Sequence, residues 1–158
     1  MTHNTTLSEL LGHGLSHLDL TVDDYLLIER TYTDVAYSLA NYWGADAHDG
    51  VLFAQGSVPL GTVTRKYHRN DEIDIDLVVI RDLRKDQVTQ AELKADVGEG
   101  LEKYVSDGPD EDPDLVEGKR CWTLQYPGYH LDALPALPDE TSRTRTGIIL
   151  TDKSLVRW

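Results

Sequence analysis

The sequence has a single cysteine, a single methionine and a single phenylalanine, and its 15 Lys and Arg are outnumbered by 28 Asp and Glu. One thiol, Cys121, excludes an intrachain disulfide and a multi-cysteine zinc site, and both exclusions fit a cytoplasmic protein. The formal net charge of −13 argues against strong nucleic-acid binding, which needs a basic stripe to displace counterions. It leaves room for a nucleotide enzyme, because metal ions neutralise phosphates and an acidic site together. No apolar run reaches membrane-spanning length, and residues 1–6 (MTHNTT) lack the basic-then-apolar order of a signal peptide. What is present, 40% hydrophobic and 27% charged residues, suits one ordinary globular domain over residues 1–158, long enough to bury a core.

Helix signals dominate the first third. Residues 7–18 are weakly helical, with Gly12 and Gly14 against them. Tyr25, Ile28, Tyr32, Val35, Leu39 and Tyr42 then recur every three or four positions, predicting one apolar face of a long helix. Thr21 with Asp24 forms a capping box at its start, and Gly44 is its stop. N-terminal helices over 7–43 therefore precede a sheet-and-helix region over 50–158. A short strand over Val51–Ala54 runs into Gly56-Ser57, residues 64–72 form a polar loop, and a strand covers 73–80. Thr89 and Glu92 open a second helix through Leu93, Val97, Leu101 and Tyr104. Residues 106–118, acidic and rich in Pro and Gly, predict a loop. Strands over Arg120–Tyr126 and Tyr129–Leu134 flank the Pro127-Gly128 turn, and a last strand covers Thr146–Thr151. The fold class is α/β or α+β, a mixed sheet against helices.

The chemistry concentrates on Ile73-Asp74-Ile75-Asp76-Leu77. Side chains alternate across a strand, so Asp74 and Asp76 share one face while the aliphatics take the other. Two carboxylates side by side repel and raise each other's pKa. A strand end facing water would explain a lone pair of this kind. A divalent cation such as Mg²⁺, commonly held by one or two carboxylates plus substrate phosphates, would offset the cost. Gly56-Ser57 offers close backbone approach and a hydroxyl to a phosphate, and Gly61-Thr62 repeats that chemistry; a tight turn is the plainer explanation of either. The Walker lysine pattern is absent. Asp132, mid-strand between apolar neighbours, is the third carboxylate. Two-metal nucleotidyl transfer is the reaction such a set would support, with ions roughly 3.5–4 Å apart.

Taken as a set, QGSVPLGTVTR, DEIDIDLVVI and YHLDALPALPD resemble the cGAS/DncV-like nucleotidyltransferases (CD-NTases) of bacterial CBASS anti-phage systems, within the DNA-polymerase-β-like superfamily. The resemblance runs through about residues 20–158. It implies a mixed central sheet flanked by helices, two Mg²⁺ or Mn²⁺ ions on Asp74, Asp76 and Asp132, and nucleotide contacts from Gln55, Gly56, Ser57 and Thr62. It further implies synthesis of a cyclic di- or trinucleotide from NTPs such as ATP or GTP, and a downstream effector that responds to the product. The gap from Ser57 to Asp74 is longer than in minimal members, as in the CD-NTase group. Members usually continue beyond the point where Trp158 stands, into a helical lid domain. The expectation is thus a catalytic core with the lid absent, open to self-association through exposed apolar surface. Two readings stand beside it: a minimal toxin–antitoxin-type nucleotidyltransferase that transfers AMP to protein or RNA, and a non-catalytic nucleotide-binding fragment.

Other residues carry plainer expectations. His130 shares the face of Asp132 and is read as a packed or hydrogen-bonded histidine that could touch the site. Arg65, Lys66 and Arg69 are solvated cations that could guide triphosphate. Asp71, Glu72, Asp110, Glu111 and Asp112 are surface charges, Trp122 and Tyr126 core aromatics, and Cys121 an inert thiol.

Overall fold

Thr21 and Asp24 satisfy each other's backbone amides at the start of helix α1 (Val22–Trp43), and Gly44 ends it in the left-handed conformation at φ 65°. Helix α2 (Gln90–Ser106) opens on the same reciprocal cap, Thr89 with Glu92. Both starts follow from side-chain oxygens meeting amides that a helix end leaves without partners. The computed structural model describes residues 20–44, 52–55, 72–142, 147–152, 154, 155 and 158. The predicted helix over 7–18 lies outside them, as do Gly56, Ser57, Gly61, Thr62, Arg65, Lys66, Arg69 and Asp71.

The strands are β1 (Leu52–Gln55), β2 (Ile73–Ile80), β3 (Asp114–Glu117), β4 (Trp122–Tyr126), β5 (Tyr129–Pro138) and β6 (Ile148–Leu150). They form one mixed sheet in the order β1-β2-β5-β4-β3, with β6 also on β5. Among the described strands, β2 and β5 run parallel and the other pairings are antiparallel. The crossover from β2 to β5 contains α2, as a parallel pair requires. Gly128, at φ 93°, makes the tight turn between β4 and β5.

Ile73, Ile75, Leu77 and Val79 of β2 join Leu124, Leu131 and Ala133 in the core, against Ile28, Val35 and Leu39 of α1 and Val97 and Leu101 of α2. Period two on the strands and period 3.6 on the helices thus meet across one interface. The face predicted for α1 is rotated at both ends. Tyr25 is 49% and Tyr42 38% exposed, while Thr31 and Ala40 are buried. Tyr42 hydrogen-bonds Glu99 instead. The predicted loop over 106–118 also differs, because residues 114–117 pair with β4. Its acidic composition masked a short edge strand whose side chains are mostly exposed.

Strand β5 extends past Leu134 through Pro135, a residue that central strands seldom tolerate. The Pro135 carbonyl accepts from Thr151 N at 3.0 Å, so its ring nitrogen lies on that same side. There β4 has ended, at the pairing of Trp122 with Ala133, and β6 begins pairing only at Ala136. The missing donor falls in the gap between them.

Candidate active site

The parallel register of β2 and β5 makes Asp76 the Cα partner of Asp132, and Asp74 the partner of His130. Alternation then puts Asp74, Asp76, His130 and Asp132 on one face of the sheet, opposite the apolar core. The structure brings the three predicted carboxylates together: one oxygen from each lies within 4.8 Å of the others. Asp74 is exposed, and Asp76 and Asp132 are half-buried.

Three acids this close carry an electrostatic cost, which falls on Asp76. Burial raises its pKa first, and the charges of Asp74 and Asp132 raise it further, against a lowering contribution from His130. Among the described residues no lysine or arginine forms an ion pair with the three. The set fits a divalent cation: hard, converging oxygen donors, two of them half-buried, with no Lys or Arg partner among the described residues. Asp74, Asp76 and Asp132 could hold it.

The two outer acids have partners that sequence reading did not assign. His130 Nε2 lies 3.0 Å from Asp74 Oδ1, and its Nδ1 lies 3.2 Å from Glu72 Oε2. His130 is therefore a hydrogen-bonded histidine at the site, as expected. Glu72, expected as a surface charge, lies against it. Thr123 Oγ1 donates to Asp132 Oδ1 at 2.5 Å, and Cys121 Sγ to Asp132 Oδ2 at 3.5 Å. Burial and the Asp132 charge both push the Cys121 thiol up, which keeps it protonated and unreactive. Thr123 had one available signal: a two-residue turn at Pro127-Gly128 that sets Tyr126 opposite Tyr129 also sets Thr123 opposite Asp132.

Gln55 ends β1 as the Cα partner of Asp76, and Gly56-Ser57 follows it directly in the chain. Trp122 and Tyr126 pack as expected: Tyr126 is buried and stacks on Tyr129, with centroids 4.5 Å apart, and Trp122 lies against the core. In the acidic loop, Asp110 pairs with Arg30, and Glu111 accepts from Tyr129 Oη at 2.9 Å. These two acids are thus engaged rather than simply solvated.

A mixed sheet carrying three convergent carboxylates, backed by two helices, defines the class of a nucleotidyltransferase core. The described fold resembles Vibrio cholerae DncV in its 3'-deoxy GTP bound form, with a TM-score of 0.71 at 12% identity over 91% of this chain and 53% of that one. It also resembles the same organism's DncV cyclic AMP-GMP synthase in complex with the linear intermediate 5' pppA(3',5')pG, at a TM-score of 0.65, 11% identity, and 80% and 46% coverage. Escherichia coli DncV, 3'-deoxy GTP bound, gives 0.60 at 17% identity, with 91% and 54% coverage. The chain spans about half the length of these solved proteins. No curated protein sequence matches it. The family model "Cyclic GMP-AMP synthase DncV-like, nucleotidyltransferase domain" matches residues 51–135, more than half of the chain. The chain belongs to that family of nucleotidyltransferase domains, as its motifs implied.

Proposed function

We propose that this chain is the catalytic core of a metal-dependent nucleotidyltransferase that makes a cyclic di- or trinucleotide second messenger from NTPs, acting in anti-phage defence. The convergence of Asp74, Asp76 and Asp132 within 4.8 Å is the observation that carries the reading. In the proposal these three residues hold two Mg²⁺ or Mn²⁺ ions. Such ions, when bound, supply Lewis-acid activation of an attacking hydroxyl and neutralisation of the triphosphate leaving group.

The remaining work belongs to the chain's own groups. Asp74 and Asp76 are offered together from one strand, and Asp132 from its parallel neighbour, so a rigid pair of strands sets their spacing. Asp132 orients the acceptor hydroxyl. Gln55, Gly56, Ser57 and Thr62 bind the donor nucleotide, with the Ser57 hydroxyl donating to its triphosphate. Ionised acids are required throughout; without metal, burial and the charges of Asp74 and Asp132 raise the Asp76 pKa, so acidification protonates the metal-free site more readily than a free carboxyl. A downstream effector responding to the product would complete the pathway, with synthesis in the cytoplasm.

Asp74→Ala and Asp76→Ala in the full-length protein are expected to lower turnover at least about a hundredfold, the loss of several kcal/mol of transition-state stabilisation, with circular dichroism unchanged. Near wild-type product from either variant would overturn the assignment. Labelled ATP and GTP followed by chromatography separate the alternatives. Cyclic product supports the synthase, and label on protein or RNA supports AMP transfer. Mg²⁺-dependent nucleotide binding without turnover supports a non-catalytic fragment.

A further inference from the structure

We propose that Thr123 is a positioning residue for Asp132, holding this carboxylate in its metal-binding orientation; the inference rests on the nucleotidyltransferase reading above. Asp132 is the acid contributed by the second strand, and its direction decides whether the triad closes. Aspartate is depleted in strands, and its carboxyl torsion is broad, so the backbone alone does not aim the oxygens.

Strand β4 supplies what the backbone lacks. Thr123 is the Cα partner of Asp132, and such neighbours on one sheet face stand about 4.5–5.5 Å apart between Cβ atoms. That spacing suits a hydroxyl reaching a carboxylate. The Thr123 hydroxyl donates to Asp132 Oδ1, and a hydrogen bond to an ionised carboxylate is strengthened by its charge. Cys121 Sγ meets the other oxygen, Oδ2, at 3.5 Å, and lies 4.0 Å from the Thr123 hydroxyl. Asp132 is thus bracketed at both oxygens, by Thr123 on β4 and by Cys121 just before that strand, as Asp74 is held by His130 from β5. Among the described residues no side chain donates to Asp76 between them.

A threonine serving the sheet alone would be replaceable by valine, which has the same shape and a similar strand preference. A threonine aiming Asp132 would not be. Outer-shell partners of metal ligands are worth about 10–100-fold in metal affinity or activity.

The test uses full-length protein, Mn²⁺ as the probe and two readouts: Mn²⁺ binding by paramagnetic resonance without nucleotide, and steady-state turnover. T123V and T123A are expected to melt cooperatively, to bind Mn²⁺ about 10–100-fold more weakly, and to lose kcat with little change in nucleotide KM. T123S, which keeps the hydroxyl, is expected to recover most of the affinity. Asp76→Asn is the control for the triad. Wild-type Mn²⁺ affinity in T123V, alongside loss of binding in D76N, would overturn the positioning role and leave the nucleotidyltransferase reading standing. Mn²⁺ binding that D76N does not weaken would overturn the triad reading, and the positioning role with it. If T123V and T123A fail to fold while T123S folds, Thr123 is structural and the proposal fails.

Discussion

Asp76 concentrates the tension in this site. It is half-buried, sits between two other acids, and has a pKa raised mainly by burial and then by Asp74 and Asp132. A carboxyl whose folded pKa lies above its unfolded value contributes stability below the ordinary carboxylate range, and loses that contribution as pH rises through the folded value. At neutral pH and without metal, ionised Asp76 therefore weakens the fold. Asp76→Asn is expected to raise the melting temperature in EDTA at pH 7, with the advantage narrowing as pH falls toward the carboxylate range. A melting temperature equal to or below wild type at pH 7 would contradict this account. The acids themselves were legible in the linear sequence, because alternation places Asp74 and Asp76 on one face and Asp132 stands out among apolar neighbours. Their partners were not. Thr123 meets Asp132 across a hairpin whose chemistry at that pair had not been read, and Glu72, 58 positions from His130, reaches it only through the pairing of β2 with β5.

Helix α2 illustrates how an element can be predicted while its fit is not. Its cap and its Leu93, Val97, Leu101 and Tyr104 stripe follow from composition and period, and all four are buried. By helix propensity alone, Gly98 and Gly100 are each about 1 kcal/mol worse than alanine. In the fold they are close-approach positions of different kinds. A Cβ on Gly98 would lie 2.4 Å from Trp122 Cζ2, on a rigid ring whose Nε1 donates to the Lys94 carbonyl at 2.8 Å. The buried Lys94 ammonium also lies 4.6 Å from that ring's centroid. A Cβ on Gly100 would meet the Leu39 Cδ2 methyl at 2.7 Å, the far end of a flexible chain. Gly98→Ala is thus expected to destabilise by about 1–3 kcal/mol through overpacking. Gly100→Ala is expected to come out within about 1 kcal/mol of neutral, since helix propensity offsets a small repacking. Chemical denaturation of both variants checks the order; equal stability would contradict the packing account. The same helix ties down the hairpin that carries Thr123, through Lys94 Nζ to Glu117 at 2.7 Å and to the Gly118 carbonyl at 3.0 Å.

For the chain as a whole, like charges at one spot and a net charge of −13 make divalent cation a strong lever on stability. Binding at about one hundred times the dissociation constant stabilises the folded state by ~2.7 kcal/mol. In a domain of this size that corresponds to a rise of roughly 5–10 °C in melting temperature. Mn²⁺ is expected to produce such a shift in wild type and not in D76N, and calorimetry with and without EDTA measures it. An equal shift in both would place the cation elsewhere. The sequence by itself determined both described helices, every described strand but β3, the fold class and the three acids, because helix caps, period-two alternation and a misplaced carboxylate are local signals carried by neighbouring residues. The tertiary structure decided that β2 and β5 lie parallel with Asp76 against Asp132, that residues 114–117 form an edge strand, and that Thr123 and His130 hold the outer acids. Those outcomes depend on which strands pair and in what register, and register is set by packing an entire face against α1 and α2. A single position shift would have sent every one of these side chains to the other side of the sheet.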